Sequence, residues 1–210
     1  MSSWRLVSFM PRLLLTGFEP FDGFKTNPSE ELVNRMNGLT VGDWTIEGHV
    51  FPLDYALIGE ELDSLFKNGD YKVIICTGQA ERGSISVERV ALNAVSTTRK
   101  DNAGNAPTSD VIDPTGPVGY FTSLEPTPIV SRLRKEGIPA FVSYHAGTYG
   151  CNFLIYSVMR RIVTAGLNTR ATFIHVPPLP CQALEKENMG LPTLPLDTIV
   201  HAITLIVGLL

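Results

Sequence analysis

Short apolar runs bounded by glycine or proline alternate along this chain with segments of helical period, an order that few folds accept. Leu13 to Thr16 reads as a buried strand stopped by Gly17. A helix follows, with Asn27 as its cap, Pro28 at the first helical position and Glu30 three residues after the cap, and it runs to about Asn37-Gly38. Trp44 to Leu53 alternates like a strand, and Tyr55 to Lys67 has helical spacing until Asn68-Gly69 ends it. The unbroken run Lys72 to Thr77 suits a central parallel strand buried on both faces. Residues 85 to 95 are extended by composition. A polar stretch from Asp101 to Gly116, rich in Asn, Asp, Pro and Gly, has the length of a lid, a binding loop or an interface element. Then come a helix near Ile129 to Glu136, a strand Ile138 to Tyr144, a helix from Cys151 to about Leu167 and a strand Ala171 to Val176. A proline-rich turn leads to a last helix, Asp197 to Leu210. The expectation is one α/β domain over residues 1 to 210, with helices on both faces of a mostly parallel sheet.

Composition narrows the class. With 44% hydrophobic and 18% charged residues in 210, the chain has the balance of a globular protein with a sizeable core. Twenty-one acidic against 17 basic residues give a net charge of −4, which argues against a nucleic-acid footprint. The run Ile199 to Leu210, interrupted by His201 and Thr204, falls short of the ~20 apolar residues of a membrane span. The apolar stretch before Pro11 and Arg12 is too short for a secretion signal. Cys76, Cys151 and Cys181 are odd in number and widely spaced, so neither a disulfide framework nor a metal-ligand pattern follows. The expectation is free thiols in a reducing, cytoplasmic compartment, with no metal or organic cofactor.

In open α/β sheets, sites gather beyond the carboxyl ends of the strands, and three segments carry reactive side chains there. In Ser143 to Asn152 a strand meets a small-residue turn and then a helix beginning near Cys151. A thiol at that point feels the positive helix end, and the same N–H groups suit a developing oxyanion. Cys151 reads equally as a small buried hydrophobe. His175, near the end of an apolar strand before Pro177, suits a general base or a structural histidine. His145 is the rival base, whereas His49 and His201 look structural or exposed. In Thr77 to Ala91 a glycine-punctuated loop precedes Glu88, set among Val87, Val90 and Ala91. Such a carboxylate can orient an imidazole or pair with an arginine, and Glu81 reads as a solvated loop charge. The loop lacks the Gly-Lys-Ser/Thr ending of a phosphate loop.

Together these segments resemble the pyroglutamyl peptidase I family (pyrrolidone-carboxylate peptidases). The stretches that carry the resemblance begin with LLTGFEPF from Leu14 to Phe21, Asn27-Pro28-Ser29, Gly78-Gln79-Ala80 and ERVALN from Glu88 to Asn93. Asp101 to Asn105, Gly137 to Ser143, Ala146 to Asn152 and FIHVP from Phe173 to Pro177 follow in the family's order. The resemblance spans about residue 10 to the last helix. It implies an α/β/α sandwich, phosphorylase/hydrolase-like in its sheet, and a cysteine peptidase that releases N-terminal pyroglutamate through a thioester. By motif it puts the nucleophile at Cys151, the base at His175 and the catalytic glutamate at Glu88 rather than Glu81. It maps the apolar lactam pocket to Phe18, Phe21 and Tyr149, with Gln79 nearby. From the residues alone, Phe18 and Phe21 also suit core packing. Aromatic walls fit a flat, uncharged lactam, and a charged α-amino terminus would be penalised by desolvation. The implied partners are pyroglutamylated peptides and other copies of the chain, often as a tetramer, with neither nucleic acid nor membrane.

The chain departs from the pattern at three points. Arg99 stands one residue later than the family's arginine, an offset that in a strand turns a side chain to the other face, so no role is assigned to it. The Gly78 to Glu88 loop is one residue shorter than in several relatives, and Gly150 replaces a larger apolar residue. Residues 1 to 9 precede the point where many relatives begin and read as a disordered extension or an upstream start. Two other readings remain: a nucleoside phosphorylase-like transferase, which needs a phosphate site, and a binding protein that kept the pocket without turnover.

Overall fold

The computed structural model describes residues 10–210, so the proposed extension over residues 1–9 lies outside the described residues. One seven-stranded sheet organises them. In chain order its strands are β1 (Arg12–Phe18), β2 (Thr40–Val41), β3 (Trp44–Phe51), β4 (Tyr71–Gln79), β5 (Ile85–Glu88), β8 (Ala140–Ser143) and β9 (Arg170–Val176). Their spatial order is β2-β3-β1-β4-β9-β5-β8. The pairs β3/β1, β1/β4, β4/β9 and β5/β8 are parallel, whereas β2/β3 and β5/β9 are antiparallel. A separate antiparallel ribbon joins β6 (Val90–Leu92) to β7 (Gly119–Phe121).

Strand alternation divides the apolar residues between two cores. Leu13, Leu15, Val73, Ile75, Ile174 and Val176 face one side. There they meet α1 (Pro28–Met36), α3 (Pro126–Lys135) and α6 (Leu196–Val207), through residues such as Leu32, Leu133 and Ile203. Leu14, Phe18, Ile74, Cys76 and Phe173 face the other side, against α2 (Tyr55–Asn68) and α4 (Gly150–Thr164). With both faces covered, the central strands can be apolar without interruption. The result is an α/β/α sandwich with a mostly parallel mixed sheet. The helix α6 has 12 residues and buries Ile199, Ala202, Ile203 and Ile206 on the sheet; among the described residues no helix is long and apolar enough to cross a membrane.

Local chemistry explains where the elements start and stop. The Asn27 side chain accepts from Ser29 N at 2.9 Å and donates to Glu19 O at 3.1 Å, capping α1 and tying it to the strand before it. The Asp54 carboxylate caps α2 in the same way, accepting from Ala56 N and Leu57 N. Gly17 does not stop β1, which continues to Phe18. A Cβ on Gly17 would lie 2.4 Å from Ser29 O, so the missing side chain admits close passage of the α1 start over a continuing strand. The single extended segment expected over 85–95 divides at Arg89 into β5 of the main sheet and β6 of the ribbon. The helix expected from Ile129 begins at Pro126, and the expected proline-rich turn contains a further short helix, α5 (Pro180–Glu185). Both start with proline at the first helical position, where a missing N–H costs nothing. The short strands β2 and β7 carry too few residues to show a period.

Candidate active site

The sheet brings its strand ends together before any site chemistry is considered. Gly78 of β4 pairs with His175 of β9 in parallel register, and Ser86 of β5 pairs with His175 from the other side. Counting by twos from Phe173, which faces α4, puts the His175 side chain on that same face. The start of α4 lies over it and presents Cys151. A Cβ on Gly78 would fall 2.7 Å from Cys151 Sγ and 2.9 Å from Phe173 Cζ. The bare backbone of Gly78 is therefore the seat of the thiol, beside the imidazole in the next strand.

His175 is 5% exposed, and its Nδ1 lies 2.8 Å from Oε1 of the fully buried Glu88. Since the carboxylate accepts, Nδ1 carries the proton and Nε2 is left free as a base. Ser86 Oγ donates to the same Oε1 at 2.9 Å, and Arg82 Nη1 supports Ser86 at 3.2 Å. Burial pushes the Glu88 carboxyl up, but the hydrogen bond and charge of His175, with the hydroxyls of Ser143 and Ser86, bring it below its ordinary value. Glu88 holds an imidazole and makes no arginine pair among the described residues.

Burial dominates at Cys151 as well and pushes its thiol up to about 12; the Glu88 charge adds to this, while Arg99 and the Cys151 N–H oppose it. The helix start thus favours the thiolate without overcoming desolvation. The thiol rests protonated, and a neighbouring base must take its proton. Tyr149 precedes α4 without a side-chain cap, so the first N–H groups of the helix meet no capping side chain.

A cavity of about 360 Å³ opens over this cluster, and Phe21, Phe24, Gln79, Tyr149, Cys151 and His175 are among its walls. Phe24 N donates to Phe21 O at 3.1 Å across Asp22 and Gly23, both left-handed at φ 53° and 73°. This is a type I′ turn that sets both phenyl rings on the cavity wall. Tyr149 packs edge-on to Phe21 with ring centroids 6.2 Å apart, and its hydroxyl donates to Lys100 O at 2.6 Å.

Of the residues singled out from sequence, the cavity unites Cys151, His175, Phe21, Gln79 and Tyr149, with Glu88 directly behind His175. Phe18 is not on its wall. The ring is fully buried, 6.4 Å from Phe51, because strand parity carries it into the core beneath the α4 start. His145 is exposed and its Nδ1 accepts from Gly147 N at 3.2 Å, as a turn residue outside the cavity. Glu81 is an exposed group on the cavity rim. His49 pairs with Glu61 at 2.7 Å, and His201 is exposed on α6.

Arg99 corrects the sequence reading. Residues 96–99 belong to no strand, so strand parity does not govern its direction. The guanidinium lies 3.8 Å from the Tyr149 ring centroid, pairs with Asp22 at 2.6 Å and lines the cavity. Phe24 was also missed, although Asp22-Gly23 is a readable turn signal. The altered Gly150 has its own explanation: a Cβ there would meet Leu53 Cδ1 at 2.2 Å, so Leu53 fills the space of a side chain at 150. Among the described residues no group of three or more His, Cys, Asp or Glu side chains could hold a metal ion.

A family model described as pyroglutamyl peptidase matches residues 11–209. Among similar sequences, the pyrrolidone-carboxylate peptidase of Bacillus velezensis is 41% identical over 193 residues, covering 91% of this chain and 88% of that one. The pyrrolidone-carboxylate peptidase of Thermococcus onnurineus is 41% identical over 197 residues, covering 93% and 96%. Among solved structures, pyroglutamyl peptidase I of Bacillus amyloliquefaciens superposes with a TM-score of 0.88 at 40% identity, covering 94% and 93%. Pyrrolidone carboxyl peptidase of Thermococcus litoralis gives 0.90 at 32% identity, covering 95% and 92%.

Proposed function

Because the chain belongs to the pyroglutamyl peptidase family, we propose that Cys151, His175 and Glu88 perform its reaction in the cavity walled by Phe21, Gln79 and Tyr149. The reaction is hydrolysis of the bond after an N-terminal pyroglutamyl residue, by a cysteine-type peptidase. The observation that carries the assignment is the thiol seated on Gly78 beside an imidazole whose Nδ1 is held by a buried carboxylate at 2.8 Å.

His175 Nε2 takes the Sγ proton as sulfur attacks the pyroglutamyl carbonyl carbon, and the carbonyl oxygen becomes an oxyanion facing the N–H groups at the α4 start. Coupling proton transfer to attack suits a thiol whose protonated form is favoured by burial. As the carbon–nitrogen bond breaks, the imidazolium passes its proton to the departing amine and a thioester remains. Water, deprotonated by His175, then attacks the thioester, and expulsion of sulfur frees pyroglutamate and regenerates the thiol. Glu88 fixes the tautomer and balances the transient imidazolium. Phe21 and Tyr149 supply aromatic walls against which the flat, uncharged lactam can pack.

Family membership sets aside the transferase reading. The described residues act as one peptidase domain. Three free thiols support a reducing, cytoplasmic setting. A homo-oligomer, a tetramer by family resemblance, is supported by Val118, just before β7, and Phe121 of β7 standing 86% and 67% exposed. Substrates are pyroglutamylated peptides, and no step needs a metal or organic cofactor.

The test is release of a fluorescent amine from a pyroglutamyl amide under reducing conditions. Cys181 is exposed and therefore accessible to the same alkylating agent, so the thiol test uses the Cys181→Ser background. Turnover is expected to disappear with iodoacetamide and in Cys151→Ala. Turnover that survives Cys151→Ala would refute the nucleophile.

A further inference from the structure

Gln79 is the polar side chain on the cavity wall whose amide can present either a donor or an acceptor to a ligand, and its orientation decides which. A second amide fixes it. Gln182, on the short helix α5, is fully buried. Its Oε1 accepts from Leu179 N at 2.7 Å, a backbone donor that cannot reverse its role. Its Nε2 therefore points the other way, donating to Thr26 O at 3.1 Å and to Gln79 Oε1 at 2.9 Å. Thr26 O is a backbone acceptor, equally fixed. Backbone groups of unambiguous polarity at both ends thus determine the Gln182 amide, and the hydrogen bond between the two amides determines Gln79. With Oε1 engaged, Gln79 Nε2 is left without a protein acceptor among the described residues, at the cavity wall.

We propose that Gln182 is a positioning residue for specificity, holding Gln79 so that it offers an N–H donor to the ring carbonyl of the lactam. The inference rests on the reading of this cavity as the pyroglutamyl site. It identifies the recognised substrate atom as a hydrogen-bond acceptor on the ring, a feature that an N-terminal proline lacks. It also gives α5 a function: the same amide ties this helix to Thr26, at the end of the wall segment that carries Phe21 and Phe24.

The experiment measures kcat and KM for a pyroglutamyl amide, with competitive inhibition by 2-pyrrolidone, in wild type, Gln182→Met, Gln79→Met and the double variant. In Gln182→Met, KM and the 2-pyrrolidone inhibition constant are expected to rise about tenfold while kcat falls less than threefold, the signature of one lost ground-state hydrogen bond. The double variant is expected to be no worse than Gln79→Met alone, since Gln182 acts through Gln79. An unchanged inhibition constant in Gln182→Met, or effects that multiply in the double variant, would overturn the proposal. A measurement on the wild-type protein needs no variant to fold: the corresponding thiolactam, a poorer acceptor, is expected to bind about tenfold more weakly than 2-pyrrolidone. Equal binding would also overturn it. Pyroglutamyl turnover that survives Cys151→Ala would instead remove the reading of the cavity on which the inference stands.

Discussion

A few atoms at Gly78 decide whether the thiol has a seat. A methyl group there would lie 2.7 Å from Sγ and 2.9 Å from Phe173; the Phe173 ring is held in the packed core, so Sγ, at the cavity wall, is the atom that must yield. Gly78→Ala is expected to lower kcat/KM by about a thousandfold through displacement of Sγ from the attack geometry, as fluorogenic turnover would show. Its circular dichroism should remain that of the wild type. At the same scale, Cys151, His175 and Glu88 each stood out beside a strand end or a helix start, but that placing left structural roles equally open, and the family resemblance singled them out. Gln182 was not readable, because its partners Gln79 and Thr26 lie 103 and 156 positions away in sequence. Arg99 was misjudged because parity was applied to a segment that is no strand.

Elements position these groups through contacts that can be tested in pairs. The first turn of α4 rests on Leu53, just past the end of β3, where the Gly150 backbone leaves no room for a side chain. Gly150→Ala is expected to destabilise the protein by about 1–3 kcal/mol through overpacking and to depress turnover by tilting the α4 start. Leu53→Ala in the same chain is expected to recover a large part of both, measured by urea unfolding and the fluorogenic assay. Independent, additive effects would show that the two positions do not share this space. The helix α5 was hidden by prolines that read as a turn. The long loop was visible as a loop, but its anchoring was not: Asp113 accepts from Thr115 N at 2.8 Å and pairs with Arg160 at 2.7 Å.

For the whole molecule, acid is the lever that the carboxylates reveal. Hydrogen bonds from Thr115 and Arg160 lower Asp113 from its ordinary 3.8 to about 2. Glu47, where burial is outweighed by Tyr71 and Arg12, and Glu88 also lie below their usual range; Glu30, raised by burial, opposes them. A carboxyl depressed in the folded state binds protons more readily when unfolded, so its contribution is present above its unfolded pKa and lost as pH falls through the folded value. Three depressed groups against one raised predict a melting temperature that falls steadily as pH drops from about 4 to 2. Asp113→Asn should flatten part of that fall, and a curve unchanged by the substitution would contradict the linkage. The alternation of apolar runs with helical periods determined the α/β sandwich, because strands buried on both faces and amphipathic helices are local properties of composition and spacing. The segments bearing thiol, imidazole and carboxylate were likewise legible, each beside its own strand end or helix start. Only the tertiary structure decided that Phe18 turns into the core, that Arg99 faces the cavity and that Gln182 sets the polarity of Gln79. Those outcomes depend on the register between strands and on contacts between chain-distant segments, and no local pattern encodes either.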